Sequence, residues 1–242
     1  MMKVILILLG VLFINCCENQ LHGQSAYVNT QQGIYRLTGG PGNCTRTPVT
    51  DICNSANLLL SIAVYKDTLY CNTWSGELKR FIIGVPGSCR VLLPNISAEN
   101  AMTVDKDGII YMGTRKLYRY NPHTNVLTDL GNMPFTSGGD LIFFKDKLLL
   151  AGSDPVDMST GIYEININNL AASTLYMSTP GFIGLISYPV ACGSSRYFGI
   201  STTGNNSQLT ELDLVNKVVI GNSCSIPLEL LDAASSTGNR PG

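Results

Sequence analysis

Asp105-Lys106-Asp107-Gly108 spaces two carboxylates as the start of a calcium-binding loop does, and it is the first place to look for chemistry. A calcium loop needs further oxygen ligands at fixed steps, ending in a distant Glu. None follows here. The same corner recurs without the second carboxylate as Lys66-Asp67 and Lys145-Asp146, so a hairpin turn accounts for it and no metal is expected. Nucleophilic catalysis needs a base, and beyond residue 25 the chain keeps a single histidine, His123, in the turn-like YNPHTNVL. G-x-S-x-G, H-E-x-x-H and phosphate-loop patterns are absent. Asp140 and Asn100 are the polar residues a catalytic site could draw on, but both also read as polar caps at strand starts. No catalytic residue and no cofactor is predicted.

Recognition chemistry is better represented. Trp74, the sole tryptophan, lies in a turn and could stack on a sugar or a partner, although packing is the commoner use of an indole. Asn43-Cys-Thr, Asn95-Ile-Ser and Asn205-Asn-Ser fit the N-glycosylation pattern, which matters only in a eukaryotic secretory host.

Six cysteines follow residue 25: Cys44, Cys53, Cys71, Cys89, Cys192 and Cys224. No C-x-x-C pair occurs and histidine is scarce, so zinc is not expected. Disulfides are, with sequence-local pairing favoured: Cys44 with Cys53, Cys71 with Cys89, Cys192 with Cys224. Buried free thiols are the alternative for some of them.

The elements that must position these residues are written as a repeat. A strand ending in a Lys-Asp corner occurs as SIAVYKD from Ser61, AMTVDKD from Ala101 and DLIFFKD from Asp140, with a degenerate copy, GLISYPVACGSS, from Gly184. The starts are 40, 39 and 44 residues apart, and each copy is followed by three more short apolar runs separated by Gly, Asn, Asp, Ser or Pro turns. Four strands per unit at this period describes a β-propeller blade. The segment from Ala26 (AYVNTQQGIYRLTGGPGNCTRTPV) supplies strands two to four without a strand one, and LELLDAASS from Leu228 supplies that missing strand. The chain is therefore expected to be all-β, a propeller of five four-stranded blades with one blade shared between N- and C-terminal strands. A larger propeller cut after five repeats is the alternative.

Met1-Met2-Lys3 followed by VILILLGVLFI has the form of a secretory signal peptide, too short to span a bilayer comfortably. A buried N-terminal element is the alternative. Cys16 and Cys17 suggest lipidation, but Phe13-Ile14-Asn15 lacks the small residues that a lipoprotein peptidase requires. The expected organisation is residues 1–25 signal peptide, 26–236 propeller, and 237–242 a disordered or truncated tail. No later run is long enough to cross a membrane. Charged residues make up 14% of the chain with a net charge of −1, which argues against a nucleic-acid partner.

LYRYNPHTNVLTDLGNMP, GDLIFFKDKLLLAG, IYEININNLAASTLYMS and SCSIPLELLDAASS together resemble segments of large secreted proteins of Bacteroidota, the gliding-motility-associated or cell-surface proteins exported by the type IX system. The resemblance covers about Ala26 to Ser236 and implies a surface-exposed binding or adhesion module, with no catalytic residues to transfer. The chain departs from that pattern after Thr237-Gly-Asn-Arg-Pro-Gly, where no immunoglobulin-like tail or sorting domain follows, and this puts type IX export itself in doubt.

The expectation is a secreted or cell-surface propeller, monomeric or part of a larger surface assembly, that binds protein or glycan through turns on one face. The candidate contact residues are Trp74, Arg115, Asp154 and Asn205. A sugar- or lactone-processing enzyme and a structural spacer are the alternatives. Convergent carboxylates in the channel would favour the enzyme.

Overall fold

The computed structural model describes residues 25–31, 33–38, 44–49, 59–191 and 194–235. The expected signal peptide (1–25), apart from Ser25, and the tail at 237–242 lie outside them, as do Cys53 and Cys192.

Among the described residues, twenty strands form five antiparallel four-stranded sheets. Blade I contains β20 (Asp232–Ser235), β1 (Ala26–Thr30), β2 (Gly33–Thr38) and β3 (Thr45–Pro48), from the inside outwards. Blade II runs β4 (Leu59–Tyr65), β5 (Thr68–Thr73), β6 (Leu78–Ile82), β7 (Arg90–Leu93). Blade III runs β8 (Ala101–Val104), β9 (Ile110–Gly113), β10 (Lys116–Asn121), β11 (Val126–Asn132). Blade IV runs β12 (Thr136–Phe144), β13 (Lys147–Ser153), β14 (Thr160–Ile165), β15 (Thr174–Ser178). Blade V runs β16 (Gly184–Ala191), β17 (Ser194–Thr203), β18 (Asn206–Asp213), β19 (Val218–Ile226). One 3-10 turn, Leu170–Ala172, precedes β15.

The shared blade is as the repeat predicted. β20 pairs antiparallel with β1, Asn29 opposite Asp232 and Ala26 opposite Ser235, and this pairing closes the ring at five blades. A lone four-stranded sheet cannot bury both faces, so each blade presents apolar side chains to both neighbours. Five core clusters result, one at each seam. Tyr27, Ile34 and Ala234 meet Ile62, Val64, Leu69 and Phe81 between blades I and II. Ala26, Val28 and Ala233 meet Ile186, Phe198 and Ile200 between blades V and I. At roughly 1.5–3 kcal/mol per buried large apolar side chain, these seams hold the ring together.

Lys66-Asp67 and Lys145-Asp146 are two-residue hairpin connections, whereas the corner at Lys106-Asp107 belongs to a longer turn between β8 and β9. Lys66 and Lys145 take the left-handed backbone, φ 54° in both. In the third corner Gly108 does so, at φ 83°. There Asp105 Oδ1 accepts the main-chain N–H groups of Asp107 and Ile109, each at 2.9 Å. Its carboxylate is thus occupied in shaping the turn. His123 lies exposed in the turn between β10 and β11.

The sequence-local disulfide pairing does not hold. Cys44, at the head of β3, is bonded to Cys224 on β19, so the bridge joins the outer strands of blades I and V. Cys71 on β5 is a buried free thiol inside the cluster between blades I and II, whereas Cys89, its expected partner, is disulfide-bonded. Local pairing would have linked cysteines close together in the chain. The bridge instead crosses the seam between blades V and I.

Candidate functional site

Within each blade the inner strand starts at one face of the ring, and the turn between the second and third strands returns to that same face. This follows from antiparallel order alone and sets the five second-to-third-strand turns around one mouth of the channel. A cavity of about 260 Å³ opens there. Leu60, Ile183 and Leu231, beside the heads of three inner strands, line it together with Asn100 and the Gly138-Gly139 pair. Trp74 and Gln31 join them from the turns of blades II and I. Among the described residues no charged side chain lines this cavity.

Trp74 is 60% exposed on a turn that is held firmly. Thr73 N–H donates to Glu77 O (3.0 Å), Gly76 N–H to Thr73 O (2.9 Å), and Ile96 N–H to Gly76 O (2.8 Å). Glu77 N–H also donates to Thr73 Oγ1 (3.1 Å), which lies 2.8 Å from Ser75 Oγ. Gly76 has φ +76°, and a Cβ built on it would sit 2.3 Å from Ile96 O, so glycine is required. The indole is therefore presented to solvent by a rigid support and is not packed in the core.

Asn100 is committed across the seam between blades III and IV. Its Nδ2 donates to Ser137 O (3.2 Å), and its Oδ1 accepts from Thr114 Oγ1 (3.0 Å). The paired glycines differ in role. A Cβ on Gly139 would meet Phe182 O at 2.2 Å, whereas one on Gly138 would meet nothing nearer than Gly152 Cα at 3.9 Å. Gly139 permits close packing of blades IV and V, and Gly138 leaves the mouth open.

Arg115, Asp154 and Asn205 are on the same face as Trp74, each in the equivalent turn of its own blade. The structure does not bring them to the cavity. Arg115 is exposed, its carbonyl accepting from Met133 N–H (2.8 Å). Asp154 Oδ1 accepts from Val156 N–H (2.8 Å) within its own loop, and Asn205 is exposed at the tip of its turn. Only Trp74 of the four candidates lines the mouth.

The axis beneath the mouth holds the arrangement that sequence reading half saw. Asp140 is 1% exposed and Asp232 is fully buried. Asp140 Oδ1 accepts from Leu141 N–H (2.7 Å) and Met102 N–H (3.2 Å), and its carboxyl also accepts from Leu185 N–H. Asp232 Oδ2 accepts from Ile62 N–H (2.6 Å), and its carboxyl from Ala233 N–H. Each inner strand is a sheet edge whose inward N–H groups have no further strand to bond. One such N–H from every blade ends on one of these two carboxyls. Burial pushes both carboxyls well above the usual carboxylate range, and for Asp232 the neighbouring charge of Asp140 adds to it. Below this layer the channel is filled by Ala63, Thr103, Ile142, Ser187 and Ala234 from the five inner strands, leaving about 10 Å³.

In the sequence Asp140 reads as a strand-start cap, and in the structure it caps strands of three blades. Asp232 was missed, although the signal was present: aligned on the repeat, LLDAAS and GGDLIF place an aspartate at the same point of strand one. Among the described residues no group of three or more His, Cys, Asp or Glu could hold a metal.

The architecture defines the molecule. It is a five-bladed β-propeller. Solved structures agree: a chain of the nidogen/laminin complex aligns over 90% of this chain and 100% of its own at 8% identity, with a TM-score of 0.58. TolB from Acinetobacter baumannii aligns over 90% of this chain and 67% of its own at 13% identity, with a TM-score of 0.54. No protein-family model and no curated protein matches the chain. Identities this low carry the propeller fold and nothing finer. No helix among the described residues is long and apolar enough to cross a membrane.

Proposed function

We propose that this propeller is a secreted or cell-surface binding module that takes an uncharged glycan at the channel mouth and performs no chemistry on it. The observation that carries the reading is Trp74: a 60% exposed indole on a rigid turn, beside an uncharged cavity furnished with the amides of Asn100 and Gln31. The apolar face of a sugar ring stacks on indole while its hydroxyls meet amides and main-chain groups. Binding is favoured over catalysis because the two carboxyls that converge on the axis are buried, and one oxygen of each is turned to main-chain N–H groups. The Cys44–Cys224 bridge suits an oxidising compartment. The resemblance to Bacteroidota surface proteins supports the same placement.

Glycan-array binding tests this with three proteins. Wild type should give a saturable, competable signal. Trp74→Ala should lose it by removing the stacking face, and Gly138→Leu should lose it by filling the cavity from a position where a Cβ meets no clash. Binding that survives both substitutions, or silence across the array, rejects the mouth as a glycan site. A protein partner is the second reading, supported by the similarity to a chain solved in the nidogen/laminin complex. Capture of a surface protein, lost in Trp74→Ala, would favour it.

A further inference from the structure

We propose that Asp140 and Asp232 hold a single proton between them, and that this shared proton makes the axis a pH-sensitive clasp on β20, the strand that closes the ring. The two carboxyls offer four oxygens. Asp140 Oδ1 and Asp232 Oδ2 receive main-chain N–H groups, while Asp140 Oδ2 and Asp232 Oδ1 are buried without a hydrogen-bond partner. A proton on one carboxyl, donated to the unpartnered oxygen of the other, satisfies both atoms at once. The axis then carries one negative charge facing five N–H dipoles, in place of two like charges in a buried site.

A cation is not the better solution. The five inner strands present N–H groups to this layer, and the positive ends of those dipoles oppose a metal. No Lys, Arg or His among the described residues is buried near enough to compensate a second carboxylate, since the buried charged side chains are Glu99, Asp140 and Asp232 alone. The titratable groups on the packed elements are Tyr27 on β1, Tyr65 on β4 and Tyr188 on β16, with Glu99 just before β8. Glu99 is bonded to Thr114 and Ser97. None supplies a positive charge.

The proton comes from solvent. In the unfolded chain at neutral pH both carboxyls are ionised, so folding takes up one proton. A carboxyl whose folded pKa lies above its unfolded value gives stability that is complete below the unfolded pKa, near 4, and is lost as pH rises towards the folded one. Because Asp232 on β20 reaches Ile62 of blade II and Asp140 reaches blades III and V, the cost of a second charge falls on ring closure.

The test follows the denaturation midpoint of the full chain from pH 5 to pH 8, for wild type, Asp140→Asn and Asp232→Asn. An amide keeps an acceptor oxygen and offers N–H in place of the shared proton. Wild type should lose about tenfold in folding equilibrium constant per pH unit over the window in which one proton is held. The asparagine variants should be flatter over the same range. A wild-type profile as flat as theirs, or a slope unchanged in both, overturns the proposal. Should either variant fail to fold, infrared spectroscopy of wild type decides: a protonated-carboxyl C=O band at pH 7 supports the clasp, and its absence sinks it. A midpoint raised by millimolar calcium would replace the proton with a metal.

Discussion

Cys44 and Cys224, 180 residues apart in the chain, are covalently joined across the seam where the last blade meets the first. Their bridge ties the outer strands of blades V and I, while the pairing of β20 with β1 closes the ring inside blade I. Replacing both cysteines with serine should lower the urea-unfolding free energy by about 2–4 kcal/mol, the usual worth of a bridge that closes a long loop. Equal midpoints for the oxidised wild type and the double variant would show that the inner pairing alone sets the closure.

Cys71 should be chemically silent in the native state. It is buried between blades I and II, and burial pushes its thiol up to about 12, so at pH 8 it is protonated as well as inaccessible. Maleimide labelling read by peptide mass mapping should leave Cys71 unmodified in the folded protein and modify it in denaturant. Rapid native labelling would mean that this seam opens readily.

Gly76→Ala should destabilise the protein by about 1–3 kcal/mol in chemical denaturation, because the left-handed backbone and the close carbonyl of Ile96 both oppose a Cβ. It should also weaken any ligand signal that depends on Trp74, since the turn carrying the indole must shift.

Trp74→Ala, in contrast, should stay within about 0.5 kcal/mol of wild type in the same assay, as expected for an exposed side chain with no core contacts. A larger loss would assign Trp74 to packing and remove the reason for treating it as a contact residue.

The blades were legible because a four-stranded sheet buried on both faces leaves a short-range record: apolar runs of four to nine residues, punctuated by turn chemistry. The shared blade was legible for the same reason, since LLDAAS repeats the inner-strand pattern near the chain's other end. The bridge from Cys44 to Cys224 was not, because it depends on which outer strands become neighbours once the ring has closed. The partnership of Asp140 and Asp232 was hidden likewise. Each looks like an ordinary polar strand start until five sheet edges are brought to one axis. Trp74 could be read as a turn residue, but its place at the mouth belongs to the three-dimensional arrangement, which also leaves Arg115, Asp154 and Asn205 outside the cavity.

Ala26 faces Ser235, so the leading end of β1 and the trailing end of β20 leave the ring at one point and in antiparallel order. Tension applied through these two ends would peel the pair apart one hydrogen bond at a time, the mechanically weak geometry. The peeling has a fixed limit. Once β20 and the start of blade I are drawn out, the pull reaches Cys44 and Cys224, and the covalent bridge carries it directly from one residue to the other. Everything between those residues, including blades II to IV in full, lies outside the path of the force. The molecule can lengthen under a pull on these two strands and still keep most of its ring intact.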